Sequence, residues 1–326
     1  MDLVKAFVYT PIEKNWHRLD PFFNSYALHT FSLLWWEQQL LKSAKIPFFT
    51  FDNELFTSEG KKVESLEGHL YLIRGDFSSD QIRGGVPQFS SSDETIIWQW
   101  PRHVDEQYTG RKIGIIDKKT LLNPEIQWKT IIQYQHHGHV FIKPMRKINR
   151  DRYGPFTFGD NDQFSRAFEN ILDRIDAFIV AQPVTFDTEE GEPKGILCGG
   201  QIEFEYRAWI ADHRILNIAK KPSSKRKNVP KEYHHFAQEF VEAYSDRLPW
   251  GYVLDMTSIE GRIVVKALNP LTRSERYPKN NFIDLLNVFP GEYDKERLER
   301  ELPRLQEQYD RKLRRALCKF KFSMNF

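Results

Sequence analysis

Two stretches of the sequence decide the fold: EYRAWIADHRILNIAKK at residues 205–221 and YVLDMTSIEGRIVVKALNP at residues 252–270. Each contains two apolar, β-rich runs that are separated by a short polar turn. The turns are Asp212-His213 in the first stretch and Glu260-Gly261 in the second. This pattern is typical of two strands joined as a hairpin, and the sequence therefore predicts four neighbouring strands in this half of the chain.

Polar residues with related chemistry lie on or beside these strands. Glu205 and Arg207 are two residues apart, so on a strand both side chains point to one face, and the residues that alternate with them are apolar. Asp255 ends the run GYVLD, Asn269 lies in VVKALNP, and Lys143 ends the earlier run VFIKP. Together these groups can hold a nucleotide triphosphate and its metal ion.

The composition is that of an ordinary globular protein. The 326 residues are 40% hydrophobic and 28% charged, with a net charge of +2. They predict two domains or one elaborated α/β unit, with no general affinity for nucleic acid or membranes. Two cysteines, Cys198 and Cys318, do not make a disulfide framework. Because no secretory signal or apolar run of membrane-spanning length is found, we expect a cytoplasmic protein.

The first hundred residues have the rhythm of a small α/β domain. A strand is predicted at Val4–Tyr9, a helix at Tyr26–Ala44, and further strands at Ile46–Phe51 and His69–Ile73. At the other end of the chain, leucines spaced from Asp294 onward predict an amphipathic helix.

The middle of the chain alternates between helical and strand-like segments. Helices are predicted at Lys118–Gln135, Phe164–Ile175 and Tyr233–Tyr244. Strands are predicted at Val140–Ile142, Ala177–Ala181, Gly199–Ala211, Arg214–Ile218, Tyr252–Met256 and Arg262–Leu268.

Several common catalytic and binding motifs are missing from the sequence. It contains no Walker P-loop, no GxGxxG and no nucleophile elbow. The histidines of QHHGH lack a partnering acid or cysteine at metal-site spacing, so a turn is the better interpretation. A nucleotide site in this chain must therefore use another architecture.

The order of the polar residues from Lys143 to Asn269 resembles the ATP-grasp superfamily. The two opening stretches look closest to the ATP-grasp clade named for one arginine and two lysines. The resemblance covers about residues 100–290 and implies an α/β (α+β) fold. Its parts would be an N-terminal α/β domain at residues 1–100, an ATP-grasp domain of two subdomains at 101–290, and a C-terminal amphipathic helix at 291–326.

The resemblance implies a nucleotide site that begins with Lys143 and a hinge. Lys143 would contact ATP phosphates; a surface lysine at a strand end is the alternative. Gln182-Pro183-Val184 resembles the hinge that contacts adenine through backbone groups. Because Pro183 has no N–H, Val184 is the natural donor. The alternative for these three residues is an ordinary strand end.

The remaining nucleotide-site roles fall on the two opening stretches. By the resemblance, Arg207 stabilises the transferring phosphoryl group, and Glu205 binds ribose or orients Arg207. The alternative for both is a surface ion pair. Asp255 and Asn269 would bind Mg²⁺. The family pattern has a metal-binding glutamate two residues before the asparagine, where this chain has Ala267.

Two basic segments admit both a functional and a plain interpretation. Arg273 and Arg276 fall where family members approach the acceptor substrate and would bind its carboxylate or phosphate; a charged loop is the alternative. The basic segment Lys220–Lys231 either closes over phosphates, touches an anionic polymer, or is a solvated loop.

The function that follows is an ATP-dependent carboxylate–amine (peptide-type) ligase that acts through an acyl phosphate. It would use ATP and Mg²⁺, with small-molecule or peptide carboxylates and amines as substrates. Ala267 motivates a second hypothesis, a nucleotide-binding protein with lost or altered catalysis. A nucleic-acid-binding module that uses the basic segment is the third.

Overall fold

A computed structural model gives the structure of the chain. It describes residues 4–9, 12, 33–52, 54–64, 70–74, 103–145, 156–168, 175–184, 205–220, 228–271, 282–286 and 293–323. The chain forms two compact units. The first unit comprises Met1–Ser92, Pro270–Arg276 and Asn281–Phe326, and the second comprises Asp93–Asn269 and Tyr277–Asn280.

The first unit is built on a five-stranded sheet with the order β4-β3-β2-β1-β5. Strands β2 and β5 both run parallel to β1, whereas β3 and β4 continue the sheet in antiparallel fashion. Residues 33–43 form a helix between β1 and β2, as a parallel connection requires. The strands are β1 (Val4–Tyr9), β2 (Phe48–Asp52), β3 (Glu54–Thr57), β4 (Lys62–Val63) and β5 (Leu70–Arg74).

The C-terminal helix Lys295–Ser323 packs on the helix at residues 33–43. The rings of Trp36 and Tyr309 are 6.2 Å apart, and the ammonium of Lys312 lies 4.0 Å from the Trp35 ring centroid. Partial burial lowers the pKa of Lys312. The amphipathic helix predicted from the leucine spacing is confirmed, and a short helix, Phe282–Leu286, precedes it.

A buried ion pair ties together three parts of the first unit. Arg74, at the end of β5, donates from Nε and Nη2 to the two carboxylate oxygens of Glu37 at 3.0 and 2.6 Å. Its third nitrogen, Nη1, donates to the carbonyl oxygen of Leu271. The Arg74 and Glu37 side chains are 1% and 0% exposed. Burial and the nearby Glu37 charge raise the pKa of Tyr9, which ends β1.

One sheet of the second unit has the order β6-β9-β7-β8 and is antiparallel throughout. Its apolar face and the helices that cover it form one core cluster. The strands are β6 (Ile113–Asp117), β7 (His139–Pro144), β8 (Phe156–Thr157) and β9 (Ala177–Ala181), and the helices are Lys118–Leu122, Pro124–Ile131, the 3₁₀ turn Ile132–Tyr134 and Asn161–Phe168. The short helix Glu106–Thr109 packs elsewhere, through Tyr108 against the helix Lys231–Tyr244.

The prediction of one continuous helix at Lys118–Gln135 is wrong, because the segment forms two separate helices. Asn123 and Pro124 divide it into Lys118–Leu122 and Pro124–Ile131, because proline at the first turn of a helix is tolerated but disfavours helical geometry in the residue before it. The side chain of Asp117 caps the first piece by accepting from the Thr120 N–H at 2.7 Å. Strand β6, immediately upstream, was not predicted.

The other sheet of the second unit has the order β11-β10-β12-β13. Both predicted turns are present and have positive φ at their two central residues: Asp212 and His213 join β10 to β11, and Glu260 and Gly261 join β12 to β13. This backbone suits tight hairpins. The elements are β10 (Tyr206–Ala211), β11 (Arg214–Lys220), the helix Lys231–Tyr244, β12 (Gly251–Ile259) and β13 (Arg262–Pro270).

This sheet has one apolar face and one face that carries charge. On the apolar side, called here the core face, alternate residues of β10 and β12 pack against the helix Lys231–Tyr244. Tyr206 and Ala208 belong to this core, as their alternation with Glu205 and Arg207 predicts. The opposite side carries Arg207 and Asp255 and is called the polar face. In the described part of the chain, no helix is both long and apolar enough to cross a membrane.

Arg74→Met will lower the free energy of unfolding of the protein by about 3–5 kcal/mol, because it leaves the Glu37 carboxylate buried without its partner. The midpoint of urea denaturation measures this loss. Lys62→Met is the matched control: it removes a lysine whose pair with Glu54 is 58% and 51% exposed, so its cost is about 0–1 kcal/mol. Equal losses in the two variants contradict a structural role for the buried pair.

Candidate functional site

A connected group of polar side chains occupies the polar face of the second unit's sheet. Arg207 donates from Nε to Oδ1 of Asp255 at 2.7 Å and from Nη2 to Oδ2 at 2.8 Å. Asn269 donates from Nδ2 to the same Oδ2 at 2.8 Å. Three strands, β10, β12 and β13, therefore meet at one carboxylate.

The sheet itself places Arg207 against Asp255. In the antiparallel pairing of β10 and β12, these two residues stand directly opposite each other, so their side chains leave the sheet on the same face. Both are nearly buried, with side chains 11% and 5% exposed. The bidentate geometry and burial make this a much stronger contact than the surface ion pair that the sequence left open.

A second ion pair extends the cluster. The ammonium of Lys266, on β13, contacts Oε2 of Glu205, which immediately precedes β10. The Glu205 side chain is 4% exposed and that of Lys266 is 21% exposed. Thr257, two residues after Asp255 on β12, is fully buried. Among the described residues, the cluster thus includes two acids, Glu205 and Asp255, each in contact with a base.

Strand β13 is irregular beside this cluster. Val265 and Leu268 both pack in the core, and Lys266 and Asn269 both contact the polar group. Each pair is three residues apart, whereas a regular strand keeps a spacing of two on one face. One extra residue, a β-bulge at Ala267, accounts for both observations.

The bulge changes which residue faces the site. By counting along the sequence, Ala267 takes the position two before Asn269, where the resemblance implies a glutamate. In the structure, the polar side chain that precedes Asn269 on the polar face is that of Lys266. A cation therefore precedes Asn269 on the polar face, where the pattern of the resemblance has a carboxylate.

The hinge residues predicted for adenine lie at the end of β9. Val184 packs against Val264, which is two residues from Lys266 on β13, so the segment after β9 reaches the polar face. The backbone N–H of Gln182 donates to the Lys112 carbonyl at 2.9 Å, and its side chain meets His136 at 3.5 Å. The Gln182 backbone N–H is thus already used within the sheet.

The remaining predicted site residues, Lys143 and two downstream arginines, are not on the strands that carry Arg207 and Asp255 in the described part of the chain. Lys143 lies on β7, half-buried, and is paired in register with Ile179 of β9. It belongs to the other sheet of the second unit, whereas Arg207 and Asp255 lie on β10 and β12. Arg273 and Arg276 lie outside the described residues, as does most of the basic segment Lys220–Lys231.

We compared the chain with known proteins. No protein-family model matches the sequence, and no curated protein matches it. Among solved structures, D-alanyl-alanine synthetase A from Vibrio cholerae has a TM-score of 0.53 at 12% identity, with 95% of this chain and 99% of that chain covered. A D-alanine–D-alanine ligase from Bacillus anthracis has a TM-score of 0.49 at 11% identity, with the same coverage.

The chain has the ATP-grasp fold. The near-complete coverage of both chains in the Vibrio cholerae comparison confirms the predicted fold class. At 12% identity, the comparison concerns the fold. What the site does has to be argued from its own side chains.

Asp255 and Asn269 provide the kinds of oxygen ligand that a magnesium ion takes. Asp255 and Asn269 offer a carboxylate and, after rotation of the amide, a carbonyl oxygen. Mg²⁺ takes few protein ligands and completes its shell with water and phosphate oxygens. No group of three or more His, Cys, Asp or Glu in the described ranges can hold a metal.

Lys266 and Thr257 are the site residues that sequence reasoning missed. Thr257 follows Asp255 at the spacing of two that keeps residues on one face, so its position was available from the sequence. Lys266 was hidden by the bulge, because regular alternation from Asn269 assigns it to the core face. A charged residue assigned to a core face was the available signal.

Deleting Ala267 will leave a folded protein, because strict alternation then keeps Lys266 and Asn269 on the polar face and Leu268 in the core. We expect a loss of about 1–3 kcal/mol in the free energy of unfolding, measured by urea denaturation. Deleting Val264, in the regular part of β13, exchanges the faces and will abolish cooperative unfolding. Similar behaviour of the two deletion variants rules out the bulge.

Proposed function

We propose that the protein is an ATP-dependent carboxylate–amine ligase. The observation that carries this proposal is the buried cluster in which Arg207 and Asn269 both contact Asp255. Stability alone favours apolar residues at such positions, because a buried ion pair is seldom better than good packing. A guanidinium, a carboxylate and an amide held on one rigid sheet are instead suited to phosphate chemistry.

The proposed reaction has two steps. The γ-phosphoryl group of ATP passes to a substrate carboxylate oxygen, which gives an acyl phosphate and ADP. An amine then attacks the acyl carbon, and the phosphate leaves as the amide bond forms. Small-molecule and peptide carboxylates and amines are the proposed substrate class. Phosphoryl transfer depends mainly on positioning and charge stabilisation, which are the properties that a rigid, nearly buried cluster supplies.

Each site residue takes a role that matches its chemistry. Arg207 stabilises charge on the transferring group through its fixed donor fork, and Asp255 holds that fork in place. Asp255 and Asn269 would hold Mg²⁺, which neutralises phosphate charge when it is bound. Glu205 binds ribose or orients Arg207, which lies two residues away.

The adenine and phosphate contacts are proposed on the other sheet of the second unit. Val184 donates its N–H to adenine, and Gln182 fixes the hinge through its bond to Lys112. Lys143 binds phosphates. With Arg207 and Lys143 as its arginine and one of its lysines, the chain is proposed to belong to the clade named for one arginine and two lysines. Arg273 and Arg276 are proposed to bind the acceptor.

A second candidate is a nucleotide-binding protein with lost or altered catalysis. The specific observation in its favour is that Lys266, rather than a carboxylate, precedes Asn269 on the polar face. The two candidates differ in turnover. Formation of ADP that depends on an added carboxylate and amine supports the ligase, whereas tight Mg²⁺-ATP binding without turnover supports the alternative.

ATP with Mg²⁺ will raise the melting temperature of the protein, because a ligand that binds only the folded state stabilises it. The shift will be larger with Mg²⁺ than with EDTA, and Lys143→Ala will remove most of it. Differential scanning fluorimetry at millimolar nucleotide measures both effects. Lys129→Ala, at an exposed lysine of the same unit, is the control and keeps the full shift. If the unaltered protein shows no shift, the nucleotide site is wrong.

Arg207→Ala will lower kcat by about 10²–10³-fold, the usual effect of removing one donor to a developing negative charge, while the Kd for ATP changes much less. ADP release under saturating substrates gives kcat, and calorimetry gives Kd. Arg214→Ala is the matched control, since Arg214 is 66% exposed and pairs with Asp212 at the far turn. Equal losses of kcat and ATP affinity contradict a role in the transition state.

A further inference from the structure

The position of Lys266 has a chemical consequence for the proposed nucleotide site. Its ammonium has three N–H donors. Within the described ranges, Glu205 is its recorded ion-pair partner, so two donors remain available to a ligand. The Lys266 side chain is 21% exposed and that of Glu205 is 4% exposed. The lysine is therefore the member of the pair that a ligand on the polar face can reach.

The charges of the cluster also differ from those of a site for two metal ions. Glu205 and Asp255 carry two negative charges, and Arg207 and Lys266 carry two positive charges, so the four side chains sum to zero. Asp255 already accepts three hydrogen bonds from Arg207 and Asn269. The other carboxylate, Glu205, is paired with the lysine. Among the described residues of the cluster, this leaves protein ligands for one divalent cation.

We propose that Lys266 is a built-in phosphate-binding cation of the nucleotide site and that the site takes one Mg²⁺ per nucleotide. The inference rests on the proposed function, because it assigns a further residue to the same site. A lysine ammonium is a compact point charge that binds phosphate oxygens well. Glu205 holds this ammonium on the polar face until the nucleotide arrives, and the bulge at Ala267 is what turns Lys266 toward that face.

The test compares the affinity for ATP with and without the Lys266 ammonium. Both variants carry glutamine in place of Glu205, so that no unpaired carboxylate is created. Lys266→Met alone removes the cation that pairs with the buried Glu205 carboxylate and can fail to fold. Glu205→Gln is therefore the reference, and Glu205→Gln with Lys266→Met is the test variant. Calorimetry gives the Kd for ATP in EDTA and in Mg²⁺. Lys129→Met, at an exposed residue outside the basic segment, is the control, and circular dichroism checks the fold of each variant.

We expect the double variant to bind Mg²⁺-free ATP about tenfold more weakly than Glu205→Gln, which is the effect of losing one charge-assisted hydrogen bond. The loss in Mg²⁺ will be smaller, because the metal ion shares the neutralisation of the phosphates. Lys129→Met will change the Kd less than twofold. A double variant that binds ATP as well as Glu205→Gln overturns the role of Lys266.

The number of metal ions bound per nucleotide is measured independently and tests the single-metal part of the proposal. Equilibrium dialysis with Mn²⁺ and saturating ATP will find one Mn²⁺ per bound nucleotide in the unaltered protein. Glu205→Gln with Lys266→Glu places a second carboxylate beside Asp255 and will raise this number to two. Two ions in the unaltered protein overturn the single-metal inference while leaving the ligase proposal intact. If the unaltered protein binds no nucleotide, the proposed function fails and this inference fails with it.

Discussion

The bidentate pair between Arg207 and Asp255 is the interaction on which the candidate site depends. It joins two neighbouring strands on the polar face of the sheet, where antiparallel pairing sets the two residues opposite each other. Because both side chains are nearly buried, neither charge can be left alone without a large cost. Asn269 then takes its position from Asp255. The pair thus fixes the positions of a guanidinium, a carboxylate and an amide within a rigid frame, which preorganised electrostatic catalysis requires.

The sheet can hold these charged groups because its core face and its polar face carry different kinds of residue. On the core face, aromatic and aliphatic residues from β10 and β12 pack against the helix Lys231–Tyr244 and stabilise the sheet. That packing offsets the cost of holding charged groups on the polar face. The bulge at Ala267 adjusts the separation locally, because it lets Leu268 stay in the core while Lys266 and Asn269 both face the polar group. Bulges beside functional sites commonly redirect a side chain in this way.

Local sequence signals predicted most of the elements of the fold. Strand Val4–Tyr9, strand Ala177–Ala181 and both hairpin turns lie where apolar alternation and turn residues indicated. The helix at Lys118–Gln135 was wrong in its continuity because the Asn123-Pro124 break was overlooked. Strand Ile113–Asp117 was missed because it is short, with only two of its five residues buried. Pairing between distant segments, such as β6 with β9, is set by packing and cannot be read from local periodicity.

By itself, the sequence determined which residue types share a strand face: Glu205 with Arg207, and these two apart from Tyr206 and Ala208. It did so because side chains alternate strictly along a regular strand. Only the tertiary structure decided that Asp255 accepts from both Arg207 and Asn269, because strand order and register depend on contacts between distant segments. It also decided that Lys266 faces the site in place of Ala267. A bulge breaks the alternation on which every sequence-based assignment of a face depends.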